Sequence, residues 1–363
     1  MCAVRISSVN ATAYTIPTDA PEADGTFAWD RTTLVAVEIT AGGRTGLGYT
    51  YSDPSLPALI HGALSPVLVG QDATAISALW EAMLRRVRNL GSRGLCATAV
   101  SAVDVALWDL KARLLGQPLA LLFGAARATV PIYGSGGFTS YDDARLEKQL
   151  AGWVEQAGCR WVKMKIGSDP ARDADRVATA RRAIGKAGLF VDANGAYTRK
   201  QALSFAERFA EQDVLWFEEP VSSDDLAGLR LMRDRAPAEM DIAAGEYGYE
   251  LFYFRRMLEA GAVDVLQADA TRCGGYTGFL RAAALCDAFG LPLSAHTAPA
   301  LHLPACCAAP RLAHVEWFHD HARIEAMLFD GAPQPADGQI APDLTRPGHG
   351  LEFKRADAAR YAA

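Results

Sequence analysis

From about residue 130 the chain repeats one alternation eight times: a short apolar run, then a longer stretch. The runs are VPIYGSG, WVKMKIG, GLFVDANG, VLWFEEP, MDIAAGE, VDVLQAD, LPLSAHT and AHVEWFH. Segments with helical spacing, such as ARDADRVATARRAIGKAG and RKQALSFAERFAEQ, lie between them. Parallel strands need crossovers of this length, and eight repeats of roughly 20 to 30 residues suit a closed TIM-type barrel. An open doubly wound sheet is the alternative, but no run is followed by a Gly-x-Gly-x-x-Gly turn.

The N-terminal part has another texture. TLVAVEITAGGRTGLGYTY alternates apolar and polar residues around Gly-Gly, as an antiparallel hairpin does. ATAVSAVDVALWDLKARLLG sets Val100, Val103, Leu107, Leu110 and Leu114 at helical spacing and stops at Gly116. We read residues 1–125 as an α+β capping domain and 126–330 as the barrel. The tail, 331–363, is rich in Pro, Gly and Asp and is expected to pack back on the cap. The net charge of −6 gives no reason to expect nucleic acid or an anionic membrane as partner. Seven cysteines without a Cys-x-x-Cys pair suit a reducing, cytoplasmic setting. The first residues lack the basic start and apolar run of a signal peptide, and no apolar stretch is long enough to span a bilayer.

Barrel active sites lie at the C-terminal ends of the strands, and here those ends carry charge. In order they offer Lys163 and Lys165, Asp192 and Asn194, Glu218, Glu246, Asp269, His296 and Glu316. Any one of these has an ordinary reading as a helix cap or loop salt bridge. Together they would converge on one mouth. Asp192, Glu218 and Glu246 form an all-oxygen set suited to Mg2+, and without a cation they would repel one another. Lys163 and Lys165, two apart on a strand, point to the same side. Lys165 is the expected base, its pKa lowered by Lys163 and the metal, and Lys163 is expected to bind a substrate carboxylate. His296, oriented by Asp269, flanks the other side. Such a site suits removal of a proton next to a carboxylate through an enediolate that the metal stabilises.

KMK, DAN, EEP, GE, the aspartate before TRCGG and His296 resemble, in order and spacing, the enolase superfamily. Within it the likeness is to the mandelate racemase / muconate lactonizing enzyme branch, and ALWDLKARLLGQPLALLFG is similar to the signature at its entry to the barrel. That superfamily pairs a Lys or His base with Mg2+. The resemblance implies a (β/α)7β barrel capped by an α+β domain made from both termini. It implies one Mg2+ per subunit on Asp192, Glu218 and Glu246, with Lys165 on one face of the substrate and the His296–Asp269 pair on the other. Lys163, Asn194 and Glu316 match positions that touch the substrate carboxylate or metal-bound oxygens. QADATRC lacks the proline often found before the strand-six aspartate, and GEYG puts Tyr247 after the third ligand.

In this family loops of the cap select the substrate, here TDAPEADGTFAWDRTT. Asp19, Glu22, Asp24 and Asp30 with Trp29 suit a polyhydroxylated acid. The expected reaction is dehydration of a sugar acid to a 2-keto-3-deoxy acid, with racemisation or epimerisation and lactone cycloisomerisation as the alternatives. The expected partner is a small carboxylate in a homo-oligomeric enzyme. Glu219 is assigned a supporting bond to a lysine. His319, Asp320 and His321 are read as loop residues touching substrate or a neighbour in preference to a metal site. A Schiff-base aldolase using Lys165 would not need three carboxylates, and a non-catalytic relic would be missing a catalytic position, which this chain is not.

Overall fold

The computed structural model describes residues 3–363. Three antiparallel strands, β1 (Ile6–Ala23), β2 (Ala28–Ala41) and β3 (Arg44–Tyr51), form the sheet of the cap in that order. The helix Leu95–Leu115 lies against this sheet and is buried along most of its length, because its apolar residues cover nearly its whole circumference. It stops at Gly116 in the left-handed conformation (φ 63°).

Eight parallel strands follow: β4 (Val130–Gly136), β5 (Trp161–Lys165), β6 (Gly188–Asp192), β7 (Val214–Glu218), β8 (Asp241–Ala244), β9 (Val265–Ala268), β10 (Leu293–Ala295) and β11 (Leu312–Phe318). They pair in sequence order, and β11 pairs with β4 to close the barrel. Strand alternation sorts the side chains. Val162 and Met164 join the apolar layer beneath the helices, while Lys163 and Lys165 take the opposite face. Tyr133, Phe190, Trp216, Ala243 and Val265 pack together as an inner cluster. Beyond β11, Phe329–Asp330 pairs with Glu352–Phe353, and the backbone NH groups of Leu119 and Ala363 bond to Gly348 O and Ala13 O. The tail is thereby stitched to the cap.

The stretch 18–33, expected as a loop, is mostly a β-hairpin arm: Glu22 pairs with Trp29 and Ala23 with Ala28. No apolar alternation betrays it, because backbone bonds to the barrel mouth hold it in place. Thr139 N donates to Ala23 O (2.8 Å) and Thr139 Oγ1 to Asp24 O (2.8 Å). At its tip a Cβ on Gly25 would stand 2.4 Å from Ala193 O and 2.6 Å from Ile166 O, so the arm lies directly on the ends of β5 and β6. The expected ends of three strands also move. β8, β9 and β10 stop at Ala244, Ala268 and Ala295, leaving Glu246, Asp269 and His296 just beyond. His319–His321 are the first turn of a helix, His319–Leu328, and not loop.

Candidate active site

Register brings the first charges level. Lys165 pairs with Asp192, and Asp192 with Glu218, so three adjacent strands present them side by side. Glu246 reaches the same level through Gly245, whose φ of 137° and a Cβ distance of 2.1 Å to Gln267 O exclude other residues. One carboxylate oxygen each from Asp192, Glu218 and Glu246 lies within 4.8 Å of the others, all three residues buried. The donor set fits a hard divalent cation on two further counts. Burial and the neighbouring Asp192 push Glu218 up to about 8. Glu246 Oε2, buried, accepts no well-aligned hydrogen bond among the described residues and has His296 Nε2 at 3.2 Å.

Cationic groups flank the trio. Lys163 Nζ, wholly enclosed, donates to both oxygens of Glu218 (2.8 and 2.7 Å) and lies 2.9 Å from Glu316 Oε1. It is not among the residues that line the cavity, and its contacts are with these two buried acids. Lys165 Nζ donates to Asp192 Oδ2 and to Asn194 Oδ1 (3.2 Å). Burial pulls its pKa down most strongly and Lys163 adds to that, but Asp192, Glu246 and Glu218 together hold it above the ordinary lysine value.

On the far side of the trio His296 Nδ1 meets Asp269 Oδ2 at 2.9 Å, and Nε2 lies 3.2 Å from Glu246 Oε2. Asp269 is fixed in turn by the Thr271 NH and hydroxyl, each 2.7 Å from Oδ1. Burial disfavours the imidazolium, yet Glu246 and Asp269 raise His296 to about 9. Glu316 accepts from Ser135 Oγ (2.5 Å) and Thr297 N (3.0 Å) and, like Lys163, sits beneath the cavity wall. Asn194 (φ 45°), Glu219 (φ 38°), Thr297 (φ 52°) and Ala298 (φ 38°) all take left-handed backbone beside these groups, a clustering of strain typical of functional sites. Glu219 hydrogen-bonds neither lysine, contrary to its assigned support; its Oε1 is buried without a partner.

A cavity of ≈ 410 Å3 opens above, with Lys165, Asn194, Glu246 and His296 in its wall and Phe27 and Trp29 of the arm over it. Sequence reasoning missed Tyr51 and Arg272, which also line it, as does His321, read from the sequence as touching substrate or a neighbour. Arg272 lies 3.4 Å from Glu246 Oε1 and 3.5 Å from Asp269 Oδ2, and its place within TRCGG was the available signal. His321 stacks on Tyr51 with ring centres 3.4 Å apart. Nothing in the sequence links the end of β3 to a residue 270 positions later.

Residues 10–124 match the N-terminal domain of mandelate racemase / muconate lactonizing enzymes, and residues 145–358 match the enolase C-terminal-like domain. The chain belongs to the mandelate racemase / muconate lactonizing enzyme family. This branch of the enolase superfamily includes a protein of that type from Rubrobacter xylanophilus, whose crystal structure shares 53% identity with this chain at a TM-score of 0.96 (99% and 100% of the two chains). A racemase from Streptomyces coelicolor, solved with magnesium, superposes at a TM-score of 0.93 with 32% identity (99% and 100%). A 3,6-anhydro-α-L-galactonate cycloisomerase of Streptomyces coelicolor is 34% identical over 96% of this chain and 98% of its own. Relatives in this family are sugar-acid dehydratases, cycloisomerases and racemases, so this chain is an enzyme and its buried acidic trio is able to hold magnesium. Among the described residues no helix is long and apolar enough to cross a membrane.

Proposed function

We propose that this enzyme removes the proton alpha to the carboxylate of a sugar acid and expels the oxygen on carbon 3, a dehydration that yields a 2-keto-3-deoxy acid. The observation that carries this is the pair of proton-carrying groups, Lys165 and His296, set across one carboxylate trio at the floor of the cavity. Asp192, Glu218 and Glu246 would hold Mg2+, which when bound supplies positive charge to stabilise an enediolate. The chain's own residues do the rest. One of Lys165 and His296 takes the α-proton; the other gives a proton to the departing oxygen. The C2–H and C3–O bonds break, a C2=C3 double bond forms, and the enol becomes the ketone.

Asp269 holds the His296 ring with Nε2 towards the trio, and Arg272 braces Glu246 and Asp269. Lys163 fixes Glu218 and Glu316, so its role is positioning. Asn194, bonded to Lys165, is the polar contact for substrate oxygens. The arm over the cavity, with Asp24, Thr26 and Arg31, favours a hydroxyl-rich acid.

A second reading, ring opening of an anhydro or lactone sugar acid, is favoured by the end-to-end match to a cycloisomerase. It breaks the same C3–O bond where that oxygen belongs to a ring, and the oxygen stays on the product. A panel of linear, anhydro and lactone sugar acids with Mg2+, followed for 2-keto acids and product mass, tests both. Loss of one water marks dehydration, an unchanged mass ring opening. Absence of any 2-keto acid, with the opposite stereoisomer formed instead, rejects both in favour of racemisation.

A further inference from the structure

Away from the trio, a second set of donors meets where the capping arm crosses the barrel. One oxygen each from Asp19 and Glu22, near the end of β1, and a ring nitrogen of His319, just after β11, lie within 4.8 Å of one another. His319 Nε2 is 3.1 Å from Asp19 Oδ2. Glu22 is the unusual member. It is 0% exposed, its Oε2 accepts from Trp29 Nε1 (2.9 Å), and its Oε1 has no hydrogen-bond partner among the described residues. An unpartnered oxygen on a buried acid is costly unless something positive reaches it. Neither neighbouring cation bonds Glu22 Oε1: Arg145 lies on the outer oxygen of Asp19 (Oδ1, 3.3 Å), and Arg323 is committed to Asp320 and to Pro17 O (2.8 Å). Asp19 is 40% exposed, which leaves a route in for an ion and its waters.

We propose that Asp19, Glu22 and His319 form a second metal site, for a first-row transition ion such as Zn2+, which fastens the capping arm to the barrel. One imidazole nitrogen with two carboxylates is a borderline set, softer than the all-oxygen trio, so the two sites differ in preference. The ion takes the place of the His319–Asp19 contact and reaches the orphaned oxygen of Glu22. Glu22 also holds Trp29, which stacks on Phe27 in the wall of the substrate cavity and meets Phe138 edge-on behind it (5.6 Å). Occupancy therefore sets the position of the cavity's aromatic wall, and it does so without touching either proton-carrying group.

The test counts ions. Full-length protein stripped by chelator is titrated with Zn2+ in a calorimeter, alongside His319→Ala, Glu22→Gln and Asp192→Asn. The expected stoichiometry is two per chain for the wild type, one for each single variant and none for His319→Ala combined with Asp192→Asn. A wild type that binds one ion, or a His319→Ala protein that still binds two, overturns the site. Should the His319 variant fail to fold, pulsed electron paramagnetic resonance on Mn2+-loaded Asp192→Asn decides. The site requires a directly bound histidine nitrogen there, and a signal without that coupling overturns it. Neither count depends on the substrate, so failure here leaves the dehydration reading standing, and failure of that reading leaves this one.

Discussion

Lys165 and His296 face each other across the barrel mouth through the same acids: Nζ of Lys165 is bonded to Asp192, while Nε2 of His296 stands 3.2 Å from Glu246 Oε2. Each is buried, and each is tied to a different member of the trio. Either can therefore be removed while the other keeps its setting, which makes the division of labour measurable.

His296→Asn should cut turnover by a factor of about 10² to 10⁴, the usual cost of losing a general acid or base. With a substrate whose α-proton faces Lys165, slow proton exchange should persist while elimination stops. NMR of the substrate in D2O reads both quantities in one sample. Equal loss of exchange and elimination for substrates of either configuration would show that the two groups do not act separately.

Asp269→Asn keeps the side chain's shape but removes the charge that helps hold His296 protonated. The pKa of His296 should fall from its raised value, and the limb of the pH–rate profile that reports it should move to lower pH. The loss should appear chiefly in kcat, with KM little changed, because Asp269 lies behind the imidazole. An unshifted profile would mean that Asp269 does not set the protonation of His296.

Stripping the protein with EDTA should abolish turnover, and Mg2+ or Mn2+ should restore it. Mg2+ should also raise the unfolding temperature of the stripped wild type, since an ion that binds only the folded state stabilises it. Glu218→Gln should lose that rise while still folding. Full activity in the chelated protein would refute the metal assignment.

His314 offers a stability test away from chemistry. Its ring is packed against Tyr133, with centres 4.7 Å apart, and burial together with Lys163 depresses its pKa to about 3 from 6.5. The folded state keeps it neutral while the unfolded chain takes up a proton, so stability present above pH 6.5 is lost progressively as pH falls towards 3. The slope should be up to about 1.4 kcal/mol per pH unit. His314→Phe should flatten the urea-unfolding profile across that window relative to wild type. Parallel profiles for the two proteins would contradict the depressed pKa.

The barrel was legible because its strands carry their own signal: short apolar runs, regular spacing and matched parity at Lys163 and Lys165. The trio and the His296–Asp269 pair were legible because each lies at or just beyond a strand end. The capping arm was not, since Asp19, Glu22, Asp24 and Asp30 give it the composition of a solvated loop while backbone pairing makes it a strand. Lys163 shows the other limit. Parity places its side chain inside the barrel, but only the coordinates show that Glu218 and Glu316 close over it.

The central claim, α-proton removal across a metal-holding trio, is tested most directly by turnover of sugar acids with Mg2+ in D2O, followed by NMR. The account predicts a 2-keto-3-deoxy acid with solvent deuterium at carbon 3, and neither product nor exchange after EDTA. A product formed without solvent deuterium at carbon 3, or undiminished turnover in the metal-free protein, would contradict it.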